Sequence, residues 1–508
     1  MDIYESRDKL GTGISWLYLS SIVSVLAGAL FYIFITHLFP TEIVGVFALL
    51  SAILTLFQTI FTLGLSNGIQ HFISYHLGEK DESSILALIK KFILIGIFLS
   101  MSAFLVLWIT APYFGIIFFH TLKYINYIRL IDIELFAMLF NSFLGSILNG
   151  LQNFKKSASI VIINSSIGYG LIIPFLYFYY NPISIILAWI IGYYIALLLY
   201  VISIIKVIKK VNINVKKTVR LRPVLEYSIP LFIASLVSYG ATYIDRFIVT
   251  FLMNLSEMGI YNFSLLIISA LGILVGPIPG VLLSKLSEFY ARKDMETFRI
   301  YTSKSIEVIS AIYMPVALLV AALGPSILLF LANRNYLPGA IPIMIILLVG
   351  ALTVSGNIFG VSLQAIRKTR IFLITSILAL LSNFVLSFLL IPLYSINGAA
   401  IGFASTSIVS FIIVYYYARK YKTYTIEKDK MAKIFLSSFI MFFLMLFIQL
   451  RLCYSILLLF VYIVTGLAIY FFLIKIFGTF NEKDVDLFLS IIPGNFKKLK
   501  HLIKSLLI

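Results

Sequence analysis

Apolar runs about as long as a bilayer is thick recur fourteen times along this 508-residue chain, each separated from the next by a short polar segment. A helix that crosses a membrane needs roughly 20 mostly apolar residues. The runs fall at about 12–37, 42–66, 88–111, 131–151, 157–179, 183–206, 226–252, 258–284, 307–331, 338–363, 370–392, 396–418, 432–450 and 453–476. The pattern predicts an all-α polytopic membrane protein with about fourteen transmembrane helices. The stretch 113–130 is also apolar and leaves room for an interfacial segment before the fourth span. The first run is longer than the 7–15 residues of a signal-peptide core and has no small-residue cleavage pattern after it, so it is read as a spanning helix.

The runs come in two similar sets. Asp81, Lys91 and Pro112 are answered 213 positions later by Asp294, Lys304 and Pro325, and LQNFKKS at 151–157 pairs with LQAIRKT at 363–369, a step of 212. These matches sit at helix ends and loops, where apolar composition alone does not force agreement. The expected organisation is a six-helix lobe at 1–208, a basic cytoplasmic linker at 209–224, a second six-helix lobe at 225–420, two extra helices within 421–478 and a tail at 479–508. Internal repeats of this kind are a common build for transporters that alternate their access.

Composition agrees with the pattern: 61% of residues are apolar and 12% charged, against about 45–50% and 25% in soluble domains. The net charge of +18 would suggest nucleic acid in a soluble protein; here basic residues concentrated in cytoplasmic loops explain it, and no nucleic-acid partner is expected. With the N-terminus inside, 34 of the 39 Lys and Arg residues fall on the cytoplasmic side, and only Lys123, Arg129, Arg334 and Arg451 on the other. That asymmetry predicts a cytoplasmic-membrane protein with both termini in the cytoplasm. The linker's basic run, Lys206 to Arg222, is read as a solvated hinge or as a contact for anionic lipid headgroups. Phe496, Leu499, Leu502, Ile503 and Leu506 share one face of the tail beside Lys497, Lys500 and Lys504, the pattern of an interfacial amphipathic helix. The single cysteine, Cys453, excludes an intramolecular disulfide and a multi-cysteine metal site.

Ionisable groups within spans are costly and usually serve a purpose. Asp245 and Arg246, in YGATYIDRFIVTFL of the seventh span, form the one deep acid–base pair. The matching positions 31–33 of the first copy read Phe-Tyr-Ile. A charge needed only to hold the repeat together should appear twice, so the pair is read either as a substrate or ion contact or as a buried structural ion pair. Asp132, Glu134 and Glu307 lie near span ends, where interfacial solvation accounts for them. His37 at the outer end of the first span admits either solvation or proton coupling, and His71 and His76 belong to a solvated inner loop.

Helix-breaking residues mark a second feature. GILVGPIPGVLL in the eighth span carries Pro277, Pro279 and Gly280; the matching part of the second span is GLSNGIQ, with Gly64 and Gly68. Proline removes a backbone donor and glycine loosens the ladder, so both places are expected hinges, serving as static kinks or as flexing gates. Gln58, Asn67, Gln70, Tyr239, Tyr243 and Asn262 are the polar candidates to line a route with Asp245 and Arg246. No phosphate-cradling Gly-Lys motif, no metal-spaced His or Cys cluster and no large extramembrane domain is present, so neither an enzyme nor a cofactor is expected.

The stretch IDRFIVTFLMNLSEMGIYNFS resembles polysaccharide-transporter proteins: an acid and a base, an apolar run, then a loop closing in Gly-x-Tyr. FITHLFPTEIVGVFALLSA is its weaker echo in the first copy. Over nearly its full length the chain is similar to the multidrug/oligosaccharidyl-lipid/polysaccharide exporter superfamily, in the branch of Wzx-like O-antigen flippases. That resemblance implies two lobes around a central cavity lined by spans 1, 2, 7 and 8. It also implies translocation of a polyprenyl- or dolichyl-(pyro)phosphate-linked oligosaccharide for surface polysaccharide or glycoprotein synthesis. Arg246 would then meet the anionic headgroup and Asp245 a cation or sugar hydroxyl. Peptidoglycan-lipid flippases carry several cavity arginines, and this chain has one. A cation-coupled multidrug exporter of the same superfamily, or a non-transporting membrane partner of glycan-synthesis enzymes, are the alternatives. Membrane lipids and glycosyltransferases are the expected partners of a monomer.

The orientation is testable with single cysteines in a Cys453→Ser background. Lys123→Cys should react with an impermeant maleimide added outside intact cells, and Lys156→Cys only after permeabilisation. The opposite labelling would invert the topology.

Overall fold

The computed structural model describes residues 10–210, 221–275, 277–425, 428–451 and 456–480. The proposed amphipathic tail, Cys453 and most of the basic linker lie outside them. Among the described residues the regular structure is helical, without strands. The first nine helices are α1 Leu10–Leu38, α2 Thr41–Thr62, α3 Leu65–Gly78, α4 Glu82–Phe119, α5 Ile125–Gly150, α6 Phe154–Gly170, α7 Ile172–Phe178, α8 Ile183–Lys210 and α9 Arg222–Leu252. There follow α10 Leu255–Ala270, α11 Gly272–Val275, α12 Pro277–Ala291, α13 Met295–Ala322, α14 Gly324–Leu331, α15 Ala340–Thr353, α16 Ser355–Ala365, α17 Arg370–Tyr394, α18 Ile396–Lys420, α19 Lys428–Arg451 and α20 Ile456–Ile476. Thirteen stretches of the described chain are long and apolar enough to cross a membrane, and α10 is a shorter apolar helix of the same character. The chain is a multi-pass membrane protein. No separate interfacial segment occupies 113–130: α4 runs past Pro112 to Phe119, and α5 begins at Ile125.

Contacts divide the chain into two compact units, Met1–Gly259 and Ile260–Ile508. In the first unit α5 is the central helix, packed against α2, α3, α4, α6 and α8. Leu65, Ile69, Ile73 and Leu77 of α3, at helical spacing of four, join Ile85, Leu88 and Phe92 of α4 and Phe143 and Ile147 of α5 in one buried cluster. The cluster forms because a 3.6-residue period keeps such positions on one face. The seventh span, α9, packs on α2, α3 and α4 and so belongs to this unit. In the second unit α13 packs on α15 and α19, and α17 pairs closely with α18. The two helices beyond the repeat are tied into it by polar contacts. Gln449 Nε2 of α19 donates to Ser326 Oγ (2.6 Å), and the Tyr470 hydroxyl of α20 donates to the Ala311 carbonyl (2.9 Å).

The repeat seen in the sequence has a structural meaning. Asp81 and Asp294 are matching helix N-caps: Asp81 Oδ1 accepts from the Ser84 amide at 3.1 Å, and Asp294 Oδ1 from the Thr297 amide at 3.0 Å. Each satisfies an amide that the first turn leaves free. These bonds hold the Asp294 carboxyl below its usual range. The residue before each cap, Lys80 or Lys293, has φ of 58°. The second sequence match needs correction. Gln152 and Arg367 are the left-handed residues of equivalent turns, with Asn153 N–H bonded to the Leu148 carbonyl and Lys368 N–H to the Leu363 carbonyl. The turns are therefore related by a step of 215, and the letter match of LQNFKKS with LQAIRKT at 212 is out of register by three residues. The second copy gained residues between its cap and this turn.

Equivalent segments of the two copies also touch. Gly45 of α2 lies against the backbone of Leu255 and Gly259: a Cβ on Gly45 would overlap the Leu255 carbonyl, and one on Gly259 the Thr41 carbonyl. Thr41 Oγ1 and Ser256 Oγ lie 2.6 Å apart beside them. Small residues permit this approach, as in other membrane helix pairs. Gly45→Val is expected to force the two backbones apart, at a cost of about 1–3 kcal/mol. A lower unfolding temperature of the detergent-solubilised protein would report it, and an unchanged one would refute the contact.

Candidate functional site

The seventh span presents a ladder of side chains. Tyr239, Tyr243 and Arg246, at i, i+4 and i+7, share one face of α9. The two phenol rings stack 4.6 Å apart at 13°, and the Arg246 guanidinium carbon lies 4.2 Å from the Tyr243 ring centroid. The Tyr239 hydroxyl anchors the ladder by donating to the Ala52 carbonyl of α2 (2.8 Å). Arg246 is half-buried and its Nε has no hydrogen-bond partner. A cation held over an aromatic face keeps its hydrogen-bonding fork for an anion. Asp245, one position away and about 100° round the helix, is fully buried and engaged in a polar interaction of its own.

Where α2 ends, the chain breaks at Leu63 and Gly64, with φ of 47° and 67°. Gly64 and Gly68 then face Ser228 of α9. A Cβ on Gly64 would come within 2.5 Å of the Ser228 carbonyl oxygen, and one on Gly68 would overlap Ser228 Oγ. The first-copy hinge is thus also a seat for α9. Beyond it Asn67 and Gln70 are exposed on α3, and His71 stacks on Tyr227 of α9, with centroids 4.6 Å apart at 11°.

The second-copy break lies slightly before the expected prolines. α10 ends at Ala270, α11 spans Gly272–Val275 and α12 starts at Pro277. Pro277 and Pro279 fall in the first turn of α12, whose amides have no intrahelical partner, so helix continues through Gly280 without losing a bond. Gly272, Val275 and Pro279 border a cavity of about 710 Å³ in the second unit, lined also by Asn357, Gln364 and Thr406 and by no charged residue. Asn262 is buried on α10 in the same unit.

A second cavity, about 500 Å³, opens within the first unit between α1, α2, α5, α6 and α8. Of the polar candidates only Gln58 lines it; the lining also includes Glu134, Asn141, Asn164, Tyr169 and Tyr193, with Ser24 and Ser165 hydroxyls 2.8 Å apart. The sequence placed Asp132, Glu134 and Glu307 in interfacial solvent, and the structure corrects this. Asp132 is 0% exposed and Glu134 and Glu307 are 3% exposed. α5 is enclosed by neighbours along its length, so a residue near its end is still interior. Glu307 is paired with Lys304 Nζ at 3.0 Å. Asp132 has no hydrogen-bond partner on either oxygen, and Glu134 none on Oε2. The missed signal was a polar stripe on α5: Glu134, Asn141 and Ser142, seven to eight residues apart, fall on one face.

Comparison with known proteins decides the family. The family model described as "Polysaccharide biosynthesis protein" matches residues 44–341. The chain belongs to that family. Among curated proteins, the "Capsular polysaccharide biosynthesis protein CapF" of Staphylococcus aureus is 29% identical over 194 residues, 38% of this chain and 49% of that protein. The match thus spans about half the length of that relative. Among solved structures, "Lipid II flippase MurJ, inward closed conformation" aligns with a TM-score of 0.73 at 19% identity, covering 91% of this chain and 98% of that one. An inward-facing multidrug resistance MATE family transporter of the MOP superfamily aligns with a TM-score of 0.68 at 15% identity, covering 80% and 97%. At such identities the likeness shows the fold: this polysaccharide biosynthesis protein has the architecture of that transporter superfamily.

The ladder on α9 makes a stability prediction. Tyr239→Phe removes the bond to the Ala52 carbonyl while keeping the ring stack, and should cost about 1 kcal/mol. Thermal unfolding of the purified protein measures it, and an unchanged midpoint would mean that the hydroxyl anchors nothing.

Proposed function

We propose that this protein is a flippase that moves a lipid-linked oligosaccharide, a polyprenyl or dolichyl (pyro)phosphate sugar, across the cytoplasmic membrane by alternating access, in the synthesis of surface polysaccharide. The observation that carries this reading is the Tyr239–Tyr243–Arg246 ladder in a chain of the polysaccharide biosynthesis family with a flippase-like fold. A guanidinium with an unpaired nitrogen suits a phosphate, whose oxygens accept its parallel donors. The adjoining phenol faces suit the C–H faces of sugar rings, apolar surfaces that an aromatic ring covers well. Asp245 is fully buried and already engaged, so it would meet a cation or a sugar hydroxyl only in a conformation that opens its side of α9. The break at Leu63–Gly64, seated with Gly68 on α9, and the break at Leu271, ahead of Pro277, Pro279 and Gly280, supply the bending that alternation requires. Membrane lipids surround the working monomer, and glycosyltransferases of the same synthesis deliver its substrate.

A cation-coupled exporter of small molecules is the rival, favoured by one observation: the buried Glu134, an acid in a hydrated-size cavity on a fold shared with a multidrug transporter. Energised vesicles that expel cationic dyes but leave lipid-linked sugars unmoved would support it.

The test of the flippase reading is reconstitution in vesicles with a fluorescent lipid-linked oligosaccharide, following its accessibility in each leaflet. Arg246→Ala should slow flipping about tenfold or more, the loss of a charge-assisted contact worth about 1.5–3 kcal/mol. Arg246→Lys should recover part of the rate, because a point charge replaces the fork. Flipping unaltered in Arg246→Ala would remove the headgroup role.

A further inference from the structure

The cavity of the second unit, about 710 Å³, falls within the size range of ligand sites, roughly 300–1,000 Å³. No charged residue lines it, so an ion or a phosphate entering it would be left without a counter-charge. Glycines in its wall let aromatic rings approach. A Cβ on Gly350 would lie 3.3 Å from the Tyr313 hydroxyl oxygen, one on Gly356 3.3 Å from Phe411 Cδ2 and one on Gly360 3.5 Å from Phe372 Cε1. Tyr313 of α13, Phe372 of α17 and Phe411 of α18 thus border the space from three different helices. Phe411 is itself steadied by Tyr415, whose ring stacks on it with centroids 5.7 Å apart at 16°.

The polar groups of the lining suit hydroxyls. Thr353, Thr375 and Thr406 donate to carbonyls of their own helices at 2.8, 2.8 and 2.6 Å, and Asn357 Nδ2 donates to the Val354 carbonyl at 3.1 Å. Their side-chain oxygens therefore remain as acceptors. Ser376, Ser407, Ser410 and Gln364 line the same space, and their side chains form no hydrogen bond among the described residues; they supply donors and acceptors together. A sugar carries the complementary pattern: each hydroxyl donates and accepts, and the C–H faces of its ring are apolar surfaces that aromatic rings cover. We propose that this cavity binds an uncharged sugar residue of the translocated glycan and excludes one that bears a carboxylate or a phosphate. The inference rests on the flippase reading for the source of the sugar, whereas the binding itself is measurable without translocation. A cationic drug would find no acid in this lining.

The test uses maltotriose and triacetylchitotriose as neutral probes and trigalacturonate as the charged one. Saturation-transfer NMR on the full-length protein in nanodiscs reads their binding up to about 10 mM, where even a site with a Kd of about 1 mM is mostly filled. At least one neutral trisaccharide should bind saturably, and trigalacturonate more weakly by about tenfold or more. Ser376→Phe fills the cavity without removing a hydrogen bond from the fold, and should abolish the signal. Gln364→Ala should weaken it about threefold or more, and stands in if Ser376→Phe does not fold. Binding of neither neutral probe, equal binding of the charged one, or binding unchanged in both variants overturns the proposal. Full-rate flipping by a Ser376→Phe protein that no longer binds sugar would overturn the assignment of this site to the translocated glycan. Neutral-sugar binding by a protein that flips no lipid-linked oligosaccharide would instead sink the flippase reading and leave the site standing.

Discussion

A hydrocarbon interior supplies no hydrogen-bond partners, so every backbone group of a span must be satisfied within the protein. That constraint shapes this molecule at each point where a helix stops short. At the α2–α3 break the Leu63 amide turns back to the Ile60 carbonyl, and at the α10–α11 break Leu271 turns back to Ile268 and Leu274 to Leu271. These are tightened i→i+3 bonds, the cheapest way to end a helix without orphaning its donors. Side chains prepare one of the breaks. Along α2 the hydroxyls of Thr55, Thr59 and Thr62 donate to the carbonyls of Ser51, Thr55 and Thr59. Back-bonding of this kind weakens and bends a helix. The α2 break therefore follows from a polar spine several residues upstream as much as from Gly64.

The second constraint is how spans adhere when lipid is as apolar as they are. Close approach and local polar contact replace burial as the attractive force. Gly192 sits against Gly168 where α8 crosses α6, and Gly398 and Gly402 bring α18 onto Leu390 and Ser387 of α17. Ser387 Oγ is itself held by Asn383 Oδ1 at 2.8 Å. These contacts tolerate no added methyl, so the positions of these helices are fixed more by absent side chains than by large ones.

Apolar run lengths placed thirteen spans and the broken eighth correctly, because period and length report directly on a membrane helix. Asp81 and Asp294 were legible as matching positions of the repeat at helix ends, and the structure gives the match its reason, since each caps a helix. Burial across elements was not legible. Glu134 and Asp132 sit within ten residues of the start of α5, where distance along one helix suggested interfacial water. Their surroundings depend on α2, α6 and α8, which no local pattern specifies. The turn register failed differently: LQNFKKS and LQAIRKT agree in letters but not in geometry, since a helix end is defined by its left-handed residue and Gln152 matches Arg367. Within the α9 stretch Tyr239, Tyr243 and Arg246 were legible as polar candidates, but neither their shared face nor the stacking of their rings was read from the sequence.

Comparing the two copies separates architecture from chemistry. What they share is structural: capping aspartates, left-handed lysines before them, a broken second helix, and glycines at 45 and 259 that touch each other. What they do not share is the charge placed within the spans. Arg246 and Asp245 answer to an apolar Phe-Tyr-Ile in the first copy, and Glu134, carried forward by the 215 step of its turn, answers to Val349. All three charged residues fall in the unit Met1–Gly259, whereas the cavity of the second unit is lined by uncharged groups alone. Selection for folding acts on both copies alike, since each must satisfy the same bilayer. Asp132 and the Lys304-paired Glu307 are also buried charges of one copy only, so the lack of a counterpart does not by itself mark a site; Arg246 and Glu134 differ in standing over an aromatic ladder and in the lining of a polar cavity. The duplicated scaffold sets where helices bend, and the flippase proposal rests on the charged side chains that are not duplicated.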